Sequence, residues 1–549
     1  MAMLVNRLAS RTGGEYRMLG LWDDRFGRRI SRRAGIILIS ASSVVAGSAS
    51  YTVFGDLNRA GPAACTHRPA SGTSVVPGPP AEVAAGVARA LFGCAPAVVV
   101  ANENVPADVA AAVPLAEQAH APLLLSSPLP TVTASAVSSR RGVAGARPAG
   151  QAASLGTVVA LREIRDLGPR SVLAVGLTTG DLSAEMPGAH VTTDPAAFAR
   201  MSQPRPLGHV VVLVSKGRSA GALAAATTAE AAGAQVVAVP GYDPRADPAA
   251  IAALTAARPR QVIAAGTGFG PASRLISRLA VVMTGVQLPG GGQDIVPMHR
   301  LVALYGEPGV PALGALGQQG ISASVARAKQ LAASYQALSK TPVVPAFEII
   351  ATVATAAPGA DGNYSFQTPV ASLRPWVQAA TAAGMYVILD LQPGRASFLA
   401  QARAYQSLLR LPNVGLALDP EWKLQPRQLP LQQIGSASIT EVNSVVNWLA
   451  QLTAQYRLPQ KLMELHEFKL GEIADEKRLD THNDDLAIVM DMDGQGTPAM
   501  KQATWGAITA TAPPGVSFGW KDFFVKDQPM LNPAQTVTAA PQCVVISYE

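Results

Sequence analysis

Eight short apolar runs separated by amphipathic stretches constrain the chain from residue 297 onward more tightly than any other feature. The expected strands are Leu301–Tyr305, Ala346–Ile350, Tyr386–Gln392, Gly415–Asp419, Lys461–His466, Ala487–Asp493, Val516–Trp520 and Cys543–Tyr548. Helical stretches such as 324–338, 373–383, 398–411 and 439–456 lie between them. Strand and helix alternating eight times over roughly 250 residues is the arithmetic of a (β/α)8 barrel. Polar residues gather at the C-terminal ends of the runs: Tyr305 and Glu307, Glu348, Asp390 and Gln392, Asp419 and Glu421. Glu464 and His466, Asp491 and Asp493, Trp520 and Lys521, and Tyr548 and Glu549 complete the set. Pairs spaced by two share one side of a strand. In such barrels the C-terminal mouth carries the active site. Carboxylates converging there repel one another unless a cation or a function requires them.

The region before the barrel repeats itself. One stretch runs Ala97–Ala101, Pro122–Ser126 and Ser171–Gly176, and a second runs His209–Ser215, Gln235–Val239 and Gln261–Gly266, each with Ala-rich helical segments between the apolar runs. This predicts duplicated, flavodoxin-like parallel sheets over 81–296. The sequence Val98-Val-Val-Ala-Asn102, followed by Ala107-Asp108-Val-Ala-Ala-Ala-Val-Pro114-Leu-Ala116 and Ala121-Pro122-Leu-Leu-Leu125, resembles the type 2 cell wall-binding repeat. Val109 stands where that family has Leu, and its upstream Gly-x-Asp-Arg signature is absent. The resemblance implies non-covalent binding to anionic cell-wall polymers; an α/β scaffold without a ligand is the alternative. Gly266-Thr-Gly-Phe-Gly270 lacks the full dinucleotide fingerprint and reads as a turn.

The mouth has the residue types that glycosidic hydrolysis needs. One carboxyl group must be protonated and another ionised, and crowding pushes pKa values apart. Glu421, Asp419, Asp390, Glu464 and Asp491 are the expected working carboxylates. Glu348, His466, Asp493, Lys521 and Tyr305 are expected to contact substrate, and Trp422, Trp520 and Tyr548 offer flat faces for sugar rings. Gly415-Leu-Ala-Leu-Asp419-Pro-Glu421-Trp422 resembles the fourth-strand motif of chitinase-type (family 18) barrels. That resemblance implies Glu421 as general acid and Asp419 as the residue orienting a substrate acetamido group. Ala417 replaces the family's first Asp, and Pro420 its aromatic. A muramidase-like arrangement fits the same carboxylates. Asp491, Asp493, Glu464 and His466 also offer donors for a divalent cation, which a metal-dependent hydrolase would use, but one histidine in the mouth is few for such an enzyme. No metal or cofactor is assigned. A non-catalytic polysaccharide-binding barrel is the reading from a different class.

Residues 34–55 carry no charge and are preceded by Arg25, Arg28, Arg29, Arg32 and Arg33. That predicts a basic cytoplasmic leader over 1–33 and a membrane segment with everything after it outside. An uncleaved anchor and a signal peptide cut near Ala46–Ser50 both fit. Residues 56–80, rich in Pro, Gly, Ala and Ser, read as a tether. The net charge of +7 owes much to the leader, and no basic stripe interleaves with aromatics, so nucleic acid is not an expected partner. The expected partners are wall polysaccharide or peptidoglycan and the membrane. Cys65 and Cys94 pair or stay idle; the sequence allows both.

Overall fold

The computed structural model describes residues 65–66, 69–128 and 155–549. The expected leader and membrane segment lie outside these residues. Among the described residues no helix is long and apolar enough to cross a membrane.

The first half contains two four-stranded parallel sheets. Strand β1 spans Gly72–Val76, β2 Ala97–Asn102, β3 Leu123–Ser126, β4 Ser171–Val175, β5 His190–Thr192, β6 Val210–Ser215, β7 Gln235–Val239 and β8 Gln261–Ala265. One sheet is ordered β3-β2-β4-β5 and the other β7-β6-β8-β1. The orders match position for position, except that the fourth place of the second sheet is filled by β1, from before the first. Composition assigns Gly72–Val76 to a tether. Instead these residues pair in register with Gln261–Ala265, with Val76 packing beneath helix Pro80–Leu91 and Val75 in the core on the sheet's other side. Val83, Val87 and Leu91 of that helix share one apolar core with Val98 and Val100 of the first sheet and Val212 and Ile263 of the second. Burying each such side chain contributes roughly 1.5–3 kcal/mol. Cys65 and Cys94 form a disulfide.

The second half is a closed parallel eight-stranded barrel. Its staves are β9 (Arg300–Gly306), β10 (Val343–Ala354), β12 (Tyr386–Leu391), β13 (Val414–Leu418), β15 (Lys461–Glu467), β17 (Leu486–Met492), β18 (Ser517–Asp522) and β19 (Cys543–Tyr548). Each pairs with the next, and β9 pairs with both β10 and β19, closing the ring. A short strand β11 (Ser365–Gln367) extends β10 antiparallel, while β14 (Ala437–Ser438) and β16 (Ile473–Ala474) pair apart from the barrel. All eight expected strands are present.

The staves alternate, apart from register shifts after Ile350 and at Phe518–Gly519. Phe347, Ile349, Val387, Leu389, Leu416, Leu418, Met463 and Leu465 face outward into a core shared with helices Val370–Ala382 and Ile439–Tyr456. The latter helix starts at Ser438, whose side chain accepts the Glu441 N–H, and stops at Arg457 in the left-handed region. The inward positions at the N-terminal end are apolar: Ala303, Ala346, Ile388, Ala417, Leu462, Val489 and Val545. They make the barrel's floor. The same end carries the contact with the first half. Arg278 donates to both carboxylate oxygens of Asp484, and Arg245 reaches the Asp484 carbonyl at 3.0 Å. The mouth therefore opens away from the paired sheets.

Candidate functional site

Continuing inward from the floor, the next position on nearly every stave is polar. Tyr305 lies beside Glu348 in register, Ala417 beside Glu464, His466 beside Asp491, and Lys521 beside Ser547. Strand alternation thus delivers Tyr305, Glu348, Asp390, Asp419, Glu464, His466, Asp491, Asp493 and Lys521 into one interior. Ten of the thirteen expected site residues converge once Glu421 at the rim is counted. Glu348, Asp390, Glu464, Asp491 and Lys521 are wholly closed to solvent, and Asp419 and His466 nearly so. Glu421 and Trp422, on the turn Pro420–Trp422 after β13, are half-buried.

A hydrogen-bonded centre organises the cluster. Tyr305 donates its hydroxyl to Asp390 Oδ2 at 3.0 Å. Lys521 Nζ donates to Asp493 Oδ2 at 3.2 Å, stands 3.4 Å from His466 Nδ1, and sits 3.7 Å over the Tyr305 ring. His466 Nδ1 faces Asp493 Oδ2 at 3.3 Å and its Nε2 lies 2.9 Å from Glu348 Oε1.

Burial and charge separate the protonation states. Burial pushes the Asp493 carboxyl upward, but Lys521 and His466 outweigh it and hold it at about 2. Burial, then the negative charge of Asp493, raises Glu421 to about 7. Burial lifts Asp390 to about 6 and Asp491 to about 7 against the pull of His466. Asp419 rises well above the carboxylate range through burial and its neighbours Glu421 and Asp390; Glu464 does so through burial, Glu348 and Asp491. Burial disfavours the charged forms of His466 and Lys521, yet the surrounding carboxylates raise both. The interior therefore holds protonated and ionised carboxyl groups side by side at neutral pH.

Of the other three expected residues, Trp422 stays on the rim turn beside Glu421, and two face away from the interior. Trp520 faces outward, packs on Trp505 with ring centroids 5.8 Å apart, and donates its indole N–H to Asp522 at 2.7 Å. Tyr548 also faces outward, where its hydroxyl meets that of Tyr335 on helix Ile321–Gln336. Neither offers a face to a sugar. The physical reason is the period of two: Lys521 and Glu549 take the inward phase, so their immediate neighbours cannot. Alternation from the inward Val545 points to Ser547 and Glu549 and was a usable signal. Sequence reasoning also missed Gly519, which faces inward and leaves room for Asp491, and Glu472. Burial raises Glu472 to about 8, with Glu421 and Asp493 adding to the shift. Nothing in the periodicity marks Glu472, because it lies on a loop.

No family model matches the chain. No curated protein matches it either. Among solved structures it is similar to Cwp6 from Clostridium difficile, at 10% identity and a TM-score of 0.28, over 73% of this chain and 63% of that one. The chain thus spans less than two thirds of that neighbour's length, and at this distance no residue role passes from one to the other.

Proposed function

We propose that the barrel is a glycoside hydrolase acting on a polysaccharide of the cell envelope, with Glu421 as general acid at the rim. The observation that carries this reading is the position of Glu421. It is a half-buried carboxyl group of the mouth, two residues beyond the closed-off Asp419 and above an interior lined with acids. A general acid must be reachable by substrate and protonated near neutral pH; a carboxyl raised to about 7 meets the second condition. Asp493, ion-paired with Lys521, is the ionised partner. Asp419 and Asp390 flank the pair, and Trp422 beside Glu421 is the aromatic placed to meet a sugar. The disulfide between Cys65 and Cys94 supports a location outside the cytoplasm, where such bonds persist. There the paired sheets would hold the chain on wall polymers.

One observation favours a second reading. Most of the acids are closed to solvent, which is the condition of a barrel that binds glycan or a partner by its rim without cleaving. The deciding experiment is release of reducing ends from purified cell wall and from chitin-like oligosaccharides by the full chain, beside Glu421→Gln. Release that falls by roughly 10²–10⁴-fold in the variant, with glycan binding retained, is the result expected of a lost general acid. Activity should also decline as pH rises through about 7, where Glu421 loses its proton. No release by the wild-type protein, with both proteins bound equally to wall, would establish the binding reading.

A further inference from the structure

Beneath the rim, the side chains of Glu348, Glu464 and His466 meet. His466 Nε2 and Glu348 Oε1 are 2.9 Å apart, yet neither atom has a hydrogen-bond partner among the described residues. Both oxygens of Glu464 and both of Asp491 are likewise unpartnered there. Glu348, Glu464 and Asp491 are wholly closed to solvent and His466 almost so. One donor atom from each of Glu348, Glu464 and His466 lies within 4.8 Å of the others. Buried polar atoms left without a partner are costly, and one bound cation would supply a partner to all of them. Lys521 is engaged with Asp493. Two donor atoms 2.9 Å apart and misaligned for a hydrogen bond have the spacing of adjacent ligands on one ion. Metal–ligand bonds of about 2.1 Å meeting at a right angle place their outer atoms about 3 Å apart. The imidazole is also held from behind, with its Nδ1 facing the Asp493 carboxylate at 3.3 Å. Metal-ligating histidines are oriented by such an outer carboxylate.

We propose that Glu348, Glu464 and His466 bind one divalent transition-metal ion inside the barrel, through His466 Nε2 and carboxylate oxygens, with Asp491 beside them as a further donor. One imidazole among carboxylates suits Zn2+ or Mn2+ better than Ca2+. The site is independent of the glycan reading, since metal uptake needs neither Glu421 nor a substrate.

The test uses the full chain, stripped with chelator, freed of it by gel filtration, and titrated with Mn2+ under electron paramagnetic resonance. The expected result is one tightly bound Mn2+ per chain and a higher thermal midpoint that chelator reverses. Glu464→Gln and Glu348→Gln should each weaken that binding by at least roughly tenfold. Glu464→Gln should still unfold cooperatively, at about the temperature of the metal-free wild-type protein, because burial already holds that carboxyl group uncharged. No stoichiometric uptake by the wild-type chain, or unchanged uptake by both variants, would overturn the proposal.

Discussion

Gly519 governs how the interior of the barrel is filled. A methyl group at this position would lie 2.3 Å from Asp491 Oδ1 and 3.0 Å from its Cγ. Asp491 is wholly buried and has a short side chain, so it has little room to move. Gly519→Ala is therefore expected to lower stability by about 1–3 kcal/mol, the cost of overpacking a closed core. The urea midpoint measures it, and adding Asp491→Ala should recover part of the loss by vacating the space. Recovery would show that the clash with Asp491, rather than strand propensity, sets the cost. At this scale much of the site was legible, because a residue type and its phase on a strand are both written in the sequence. Glu464 and His466, spaced by two, announce that they share a side, and they do. Trp520 beside Lys521 carried an equally plain message, that one of the two must face away, and the attraction of an aromatic ring for a sugar site obscured it. Gly519 was illegible because its role is the space it leaves for a residue on another strand.

At the scale of elements, β1 shows what local composition cannot convey. Its short run of β-branched residues follows a Pro- and Gly-rich stretch, so the segment reads as tether. Its pairing partner, β8, begins 185 residues after Val76 ends and becomes its neighbour only through the fold. The eight barrel strands were legible for the opposite reason, since each is paired with a neighbour close in sequence and carries its own alternation. The disulfide fastens the segment before β1 to the turn after helix Pro80–Leu91, across a separation of 29 residues. Closing a loop of that length stabilises by roughly 2–4 kcal/mol. Replacing Cys65 and Cys94 with Ala should cost about that much in chemical denaturation. Hydrogen exchange should then quicken at Gly72–Val76 and Gln261–Ala265 while the barrel strands keep their protection. Equal loosening of the barrel would mean that the bond supports the whole molecule rather than its first half.

For the molecule as a whole, buried acid makes stability a function of pH, and the sign can be worked out from two groups on different segments. Burial holds Glu421 at about 7 and Glu472 at about 8, against an ordinary value of 4.5. Below about 4.5 both carboxyl groups carry a proton in the folded and unfolded chains alike. As pH rises from there, the unfolded chain releases its protons while the fold retains them, so stability falls, by up to roughly 1.4 kcal/mol per pH unit for each group. The fall ends for Glu421 near pH 7 and for Glu472 near pH 8, where the folded protein ionises too. Thermal midpoints of the chelator-treated protein should therefore decline between pH 5 and pH 8, opposite to a protein stabilised by ion-paired carboxylates. Glu472→Gln isolates one contribution. Glu472 Oε2 accepts the Phe468 N–H at 3.0 Å, a bond the amide oxygen preserves. At about pH 4 and below the variant and the wild-type protein should melt nearly together, because the native side chain is neutral in the folded chain and largely so in the unfolded one. At pH 9 the variant should be the more stable, by on the order of 1–2 kcal/mol once partial solvent access is allowed for. A variant equally stable at both pH values would mean that the Glu472 charge is solvated in the folded state, and the loop carrying it would then be open to water rather than closed over the rim.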